Sequence, residues 1–202
     1  MDFYRVKQTM VKNQGLRIFP DFKIGSYRDF MARGHSFYAV WDPDTGLWSQ
    51  NELDVQRIVD DELDRHYEKV KDKFETDIFV DYMSSYKSGS WKNYTQWVKS
   101  LPDMYHPLDT NLTFSNQEVK REDYVSKRLS YPLEAGDHSA WDELVSTLYE
   151  PVEREKIEWA IGSIVAGASK SIQKFCVFYG EAGAGKSTIL GIIEELFEGY
   201  CV

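Results

Sequence analysis

The sequence predicts an α/β chain in two parts: a mainly helical α+β region, then a strand, a glycine-rich loop and a helix. Three observations carry this expectation. Apolar residues recur at helical spacing between Val55 and Phe74 and again between Trp91 and Leu101. An aromatic run with turn residues at its centre, Phe37 to Trp48, reads as a β-hairpin. Near the end, a continuous apolar run, Phe175-Cys176-Val177-Phe178-Tyr179, leads directly into Gly180-Glu181-Ala182-Gly183-Ala184-Gly185-Lys186-Ser187-Thr188.

Taken in order, residues 1–35 give a weak pattern, with short extended pieces expected around Leu16–Phe19. In the hairpin, Asp42-Pro43-Asp44-Thr45-Gly46 supplies the turn. Ser49-x-x-Glu52 then reads as a capping box for a helix whose apolar face is Val55, Ile58, Val59, Leu63, Tyr67, Val70 and Phe74. That face is read as packing against a core. Ser84 to Ser90 is a polar connection, and a second helix begins at Trp91 and is stopped by Pro102. Its stripe, Trp91, Tyr94, Trp97, Val98 and Leu101, has the spacing of core residues, although aromatic stripes also stack bases. Short strands are expected within 112–131. Ser139-x-x-Asp142 caps a helix through Tyr149, and Pro151 opens another. The apolar residues of that helix lie on more than one side, so burial is expected, with a break at Lys170-Ser171. The run 175–179 suits a strand covered on both faces, which makes Cys176 a buried thiol. The expected domains are 1–150 and 151–202.

Composition narrows the function classes. The 202 residues carry 24 Lys and Arg against 33 Asp and Glu, a net charge of −9. Seven basic side chains stand against three acidic ones before residue 36 (+4), which leaves −13 for the remainder. An acidic chain is a poor nonspecific ligand for nucleic acid, while the basic start fits either phosphate contact or a solvated face. Two cysteines, Cys176 and Cys201, and four scattered histidines make neither a disulfide scaffold nor a zinc pattern. With no signal-peptide pattern and no apolar run of membrane length, the expectation is a soluble cytoplasmic protein.

Gly180 to Ser187 fits G-x-x-x-x-G-K-[ST] at every position. Phosphate oxygens approach backbone N–H groups only where no Cβ intervenes, so glycines occupy the bends. The loop delivers the phosphates to a helix N-terminus, whose unpaired N–H groups favour anions. Lys186 is expected to reach the β- and γ-phosphates of ATP and to be the catalytic residue of this half-site. Ser187 is expected to ligate Mg²⁺, and Thr188 to contact an α-phosphate oxygen or cap the turn. No acidic strand follows within the chain to complete a hydrolytic site, so the sequence reads as the front of a larger protein with weak or no ATP turnover of its own.

Glu158-Trp159-Ala160-Ile161-Gly162, the run Gln173 to Tyr179, the loop and Ile189 to Tyr200 resemble phage replication proteins. These are superfamily 3 helicases of the poxvirus-type primase-helicase branch. Phe37–Trp48 resembles the family's aromatic hairpin, and Phe114-Ser115-Asn116 its Asn-containing strand, with Gln117 where glycine is usual. The resemblance implies an AAA+-like ATPase that uses ATP and Mg²⁺ to translocate on single-stranded or forked DNA as a homo-oligomer, a hexameric ring. Many members carry Asn where this chain has Ala184. The loop is also similar to those of NACHT-type signalling ATPases, which implies a nucleotide switch instead. An oligomerisation or interaction role for residues 1–150 is a third expectation.

Overall fold

The computed structural model describes the chain except Ile24, Ser26, Cys201 and Val202, and describes only the backbone of Ser169 and Lys170. It is a mixed α and β structure that divides into two compact units. One comprises Met1–Leu108 with Val119–Ser126, the other Asp109–Glu118 with Lys127–Val202. The sequence-based boundary at 150/151 falls inside the second unit.

In the first unit, β1 (Tyr4–Val11) and β2 (Gly15–Phe22) form an antiparallel hairpin, and β6 (Ile78–Val80) adds to β2 in parallel. Residues 1–35 are thus far more regular than expected, and β6 was not foreseen. Gly15 makes the hairpin possible. Its φ is +102°, and a Cβ there would lie 2.2 Å from the Asp77 carbonyl oxygen, which accepts from the Leu16 amide. A second sheet has β4 (Ser36–Asp42) between β3 (Phe30–Arg33) and β5 (Leu47–Ser49), with a register shift at Met31/Ala32. This is the expected hairpin, closed by Gly46 at φ +65° and by Asp42, whose carboxylate accepts from the Asp44 amide.

Helix α1 (Glu52–Val70) buries Val55, Ile58, Val59, Leu63 and Val70, as its periodicity predicts. Its cap differs. Asn51 is the N-cap, its side chain accepting from the Leu53 amide, while Ser49 accepts from the Asn51 amide and donates to Asp54. Three polar residues in a row compete for the position, and the one with β backbone geometry directly before the first turn takes it. Arg57 ties α1 to the β4–β5 turn through the buried Asp42 at 2.7 Å and Asp44 at 2.9 Å. Asp60 accepts from the Met83 and Ser84 amides, so this carboxylate holds a loop. Helix α2 (Ser90–Lys99) places Tyr94, Trp97 and Val98 in the core with Leu101 just beyond, so the aromatic stripe is packing and not a platform for bases.

The segment 112–131 was expected to hold strands, but it contains only a 3-10 turn, Arg121–Asp123, between irregular extended pieces. Leu129 donates to Thr113 and Ser115 to Tyr131 within the second unit, whereas Val125 accepts from Trp48 within the first. The chain is divided between two cores here and never lies beside one partner long enough to build a ladder.

In the second unit, α3 (Ser139–Leu148) is capped by His138 without a side-chain bond, and Ser139 is already helical. Its amide donates to Asp137, so the expected Ser139 cap belongs one turn-residue earlier. Helix α4 (Pro151–Val165) begins at its proline and ends before Gly167, which has φ +64°. The break is at this glycine, and a short α5 (Ser169–Ile172) follows. Ile157 is α4's sole buried residue, and Trp159 is about half exposed, so the helix is not enclosed as expected. Its apolar residues are spread around the axis, and one face alone meets a partner. Among the described residues no helix is long and apolar enough to cross a membrane.

Three of the seven basic residues near the start form close ion pairs with Asp21 and Asp81. Asp21 receives Arg5 at 2.8 Å across the hairpin and Lys7 at 2.7 Å, and Arg17 meets Asp81 at 2.5 Å. Lys7, and then Arg5, hold the Asp21 carboxyl below its ordinary 3.8. A depressed carboxylate contributes stability that is complete above the unfolded value and is lost as pH falls through the folded one. Asp21→Asn is therefore expected to lower stability by up to about 1 kcal/mol at pH 7. Urea titrations should show that difference holding down to about pH 5 and closing below 3.8.

Candidate functional site

Helix α6 (Lys186–Leu196) starts where the glycine-rich loop predicts, and buries Ile189 at its first turn, with Phe197 buried just past its end. Gly185 is its N-cap with φ +73°, no side chain caps it, and the first helical bond runs from the Ile189 amide to the Gly185 carbonyl at 3.1 Å. The amides of Lys186, Ser187 and Thr188 consequently have no partner within the helix, and the positive end of its dipole lies there. Gly183 is also left-handed, at φ +84°. These two conformations turn the backbone on itself, and both favour glycine.

Lys186 bridges the loop. Its ammonium donates to the Gly180 carbonyl at 2.9 Å and to the Glu181 carbonyl at 2.6 Å, so the first residue of α6 closes on the first two of the loop. Glu181, Ala182, Gly183 and Ala184 are exposed along the arc between, as are the side chains of Ser187 and Thr188. The structure thus brings Gly180 to Thr188 together as one feature. This donor set fits phosphate: two bends without Cβ, an ammonium, and a helix end. For Mg²⁺ the loop offers the Ser187 hydroxyl, which suits an ion that takes most of its remaining ligands from phosphate and water. Among the described residues no group of three His, Cys, Asp or Glu is placed to hold a metal.

The preceding segment departs from expectation. Residues 175–179 form no strand, and Phe175, Val177 and Tyr179 are 88%, 72% and 98% exposed. Cys176 is exposed too, not a core thiol. No strand among the described residues pairs with this run, and without one its backbone has no ladder to join. Phe178 alone packs inward, against the cluster of Val145, Ile157 and Ile189.

A cavity of about 330 Å³ adjoins Lys186 and is lined by Tyr149, Ile157, Trp159 and Phe178 among others. The Tyr149 hydroxyl is buried without a hydrogen-bond partner among the described residues. The sequence marks Tyr149 only as the end of a helix and Trp159 only as an apolar helix residue within the family-like segment; no local pattern distinguishes either from core.

No family model matches the chain, and no curated protein or solved structure matches it significantly.

The two left-handed glycines differ in their surroundings. A Cβ on Gly185 would lie 2.8 Å from Leu148 Cδ1, whereas one on Gly183 meets nothing within 4 Å. Each alanine substitution costs on the order of 1–2 kcal/mol in backbone strain. Gly185→Ala adds displacement of Leu148, so thermal melting should place it below Gly183→Ala.

Proposed function

We propose that the chain binds ATP, with Gly180 to Thr188 as the phosphate site, and that it is the N-terminal part of a phage replicative DNA helicase. The observation that carries the nucleotide reading is the Lys186 ammonium spanning the loop between two left-handed glycines at the head of α6. Lys186 would exchange two neutral carbonyls for charged phosphate oxygens, which gives stronger bonds. The unpaired amides of the first helical turn would receive the rest of the phosphate charge. Ser187 is the residue that would hold Mg²⁺, which when bound neutralises phosphate charge. The apolar wall beside Lys186 offers the remainder of the nucleotide a place out of water.

The helicase reading rests on the sequence resemblance across residues 158–200, and it brings DNA and a hexameric ring as proposed partners. Ala184 in the loop favours a second reading, a NACHT-type nucleotide switch. Single-stranded DNA separates them, because it should stimulate ATP turnover by a full-length helicase and leave a switch unaffected.

Calorimetry with ATP and Mg²⁺ on this 202-residue chain should show saturable binding, with little or no hydrolysis. Lys186→Ala is expected to weaken it about 10- to 150-fold, the value of one or two charge-assisted bonds. Flat titrations of the unsubstituted protein, or rapid Lys186-dependent turnover, would contradict the proposal.

A further inference from the structure

The first unit contains an aromatic site that the loop chemistry does not use. Trp48, Tyr124 and His106 form a ladder of near-parallel rings. Trp48 and Tyr124 lie 5.9 Å apart at 22°, and Tyr124 and His106 3.9 Å apart at 15°. The ladder runs outward, from Trp48 at 1% exposure through half-buried Tyr124 to exposed His106. Trp48 is fixed by its indole N–H, which donates to the Arg121 carbonyl at 2.8 Å.

Tyr124 is held in the left-handed region, at φ +53°. For an aromatic residue this costs on the order of 1–2 kcal/mol, and the neighbouring 3-10 turn and the two flanking rings hold it there. A cavity of about 410 Å³ opens beside the ladder, within the ~300–1,000 Å³ of small-molecule sites. Its walls include Tyr27, Phe30, Tyr105 and His106.

The charges at its rim are arranged unequally. Arg121 is neutralised by Asp29 at 2.6 Å and Glu122 at 2.9 Å, so it positions the wall and adds little net field. Arg28 is 77% exposed and its guanidinium comes no closer than 3.9 Å to Asp2. Arg33 lies over the exposed Tyr105 ring, 4.5 Å from its centre. Flat rings that end at the surface, beside the exposed Arg28 in the cavity wall, match a heteroaromatic ring that carries a phosphate.

We propose that this cavity binds a nucleotide unit, its base stacked against Tyr105 and His106 and its phosphate met by Arg28. The site is remote in sequence from Gly180–Thr188 and stands whether or not that loop binds ATP.

Fluorescence anisotropy of 5′-labelled (dT)₁₀ with the full chain tests it. Binding should be saturable at 50 mM NaCl and weaken as salt rises to 200 mM. Tyr105→Ala should lower affinity about 5- to 150-fold, the worth of a stacked base. Arg28→Ala should reduce the slope of log affinity against log salt by about 1. Both side chains are exposed, so the folded chain should survive their loss, and unchanged circular dichroism and melting temperature would confirm it. Competition by dTMP distinguishes sources: displacement at concentrations similar to unlabelled (dT)₁₀ assigns the site to a free nucleotide, and displacement by the strand alone assigns it to single-stranded nucleic acid. Absence of binding by both probes, or binding indifferent to Tyr105→Ala and Arg28→Ala, overturns the proposal.

Discussion

The first unit is organised around the indole of Trp97. It lies within 5.0–6.0 Å, centre to centre, of Phe3, Phe22, Tyr27, Phe30 and Tyr94, which come from the residue before β1, from β2, from the segment between the sheets, from β3 and from α2 itself. Its N–H donates to the Lys23 carbonyl at 2.5 Å, so the one polar atom of the ring is satisfied where its faces are apolar. Neither sheet has more than three strands, and such small sheets need a covered face to persist. Helices α1 and α2 supply that cover, and Trp97 reaches from α2 to both sheets at once. The aromatic ladder is an extension of the same arrangement, since Phe30 and Met31 are adjacent on β3 and face the Trp97 cluster and the Trp48 cluster respectively.

What could be read from the sequence follows from how many faces each element buries. Helix α1 was legible because one stripe is buried along its full length while Asp, Glu and Lys fill the other side. Strand β1 was not. Tyr4 is buried, but Gln8, Thr9 and Met10 are exposed, so the period of two fades where the hairpin projects. Strand β6 has three residues and exists because β2 offers a parallel partner, which is a fact about neighbours and leaves no mark on Ile78-Phe79-Val80 alone. The basic charge of the first 35 residues was legible as composition, and its meaning was not, because Asp21 and Asp81 meet it from other turns of the chain.

The glycine-rich loop was legible for a different reason. Its residues are dictated by backbone conformation and by one cation, both local properties, and the structure has Gly183 and Gly185 left-handed and Lys186 closed on the loop's own carbonyls. The run 175–179 has strand composition, yet strand formation is a pairing between segments, and composition supplies half of it. The same distinction explains α4. Periodicity around Ile157, Trp159, Ile161 and Ile164 reports which faces are able to be buried, and partners determine which are.

The bridging lysine also constrains how any anion enters. An ammonium has three donors, and two of them are used on the Gly180 and Glu181 carbonyls. The third can meet an incoming phosphate. A second phosphate oxygen gains the lysine only by displacing one of those carbonyls, which lies on an exposed loop where water can take the place of the lysine. The cost is small because the bond given up is neutral at its acceptor and solvent-accessible, while the bond gained is charged at both ends. A buried lysine with the same partners would resist the exchange. Exposure of the arc from Glu181 to Ala184 would therefore matter to the proposed phosphate site as much as the glycines do, because it keeps the exchange of a carbonyl for a phosphate oxygen inexpensive.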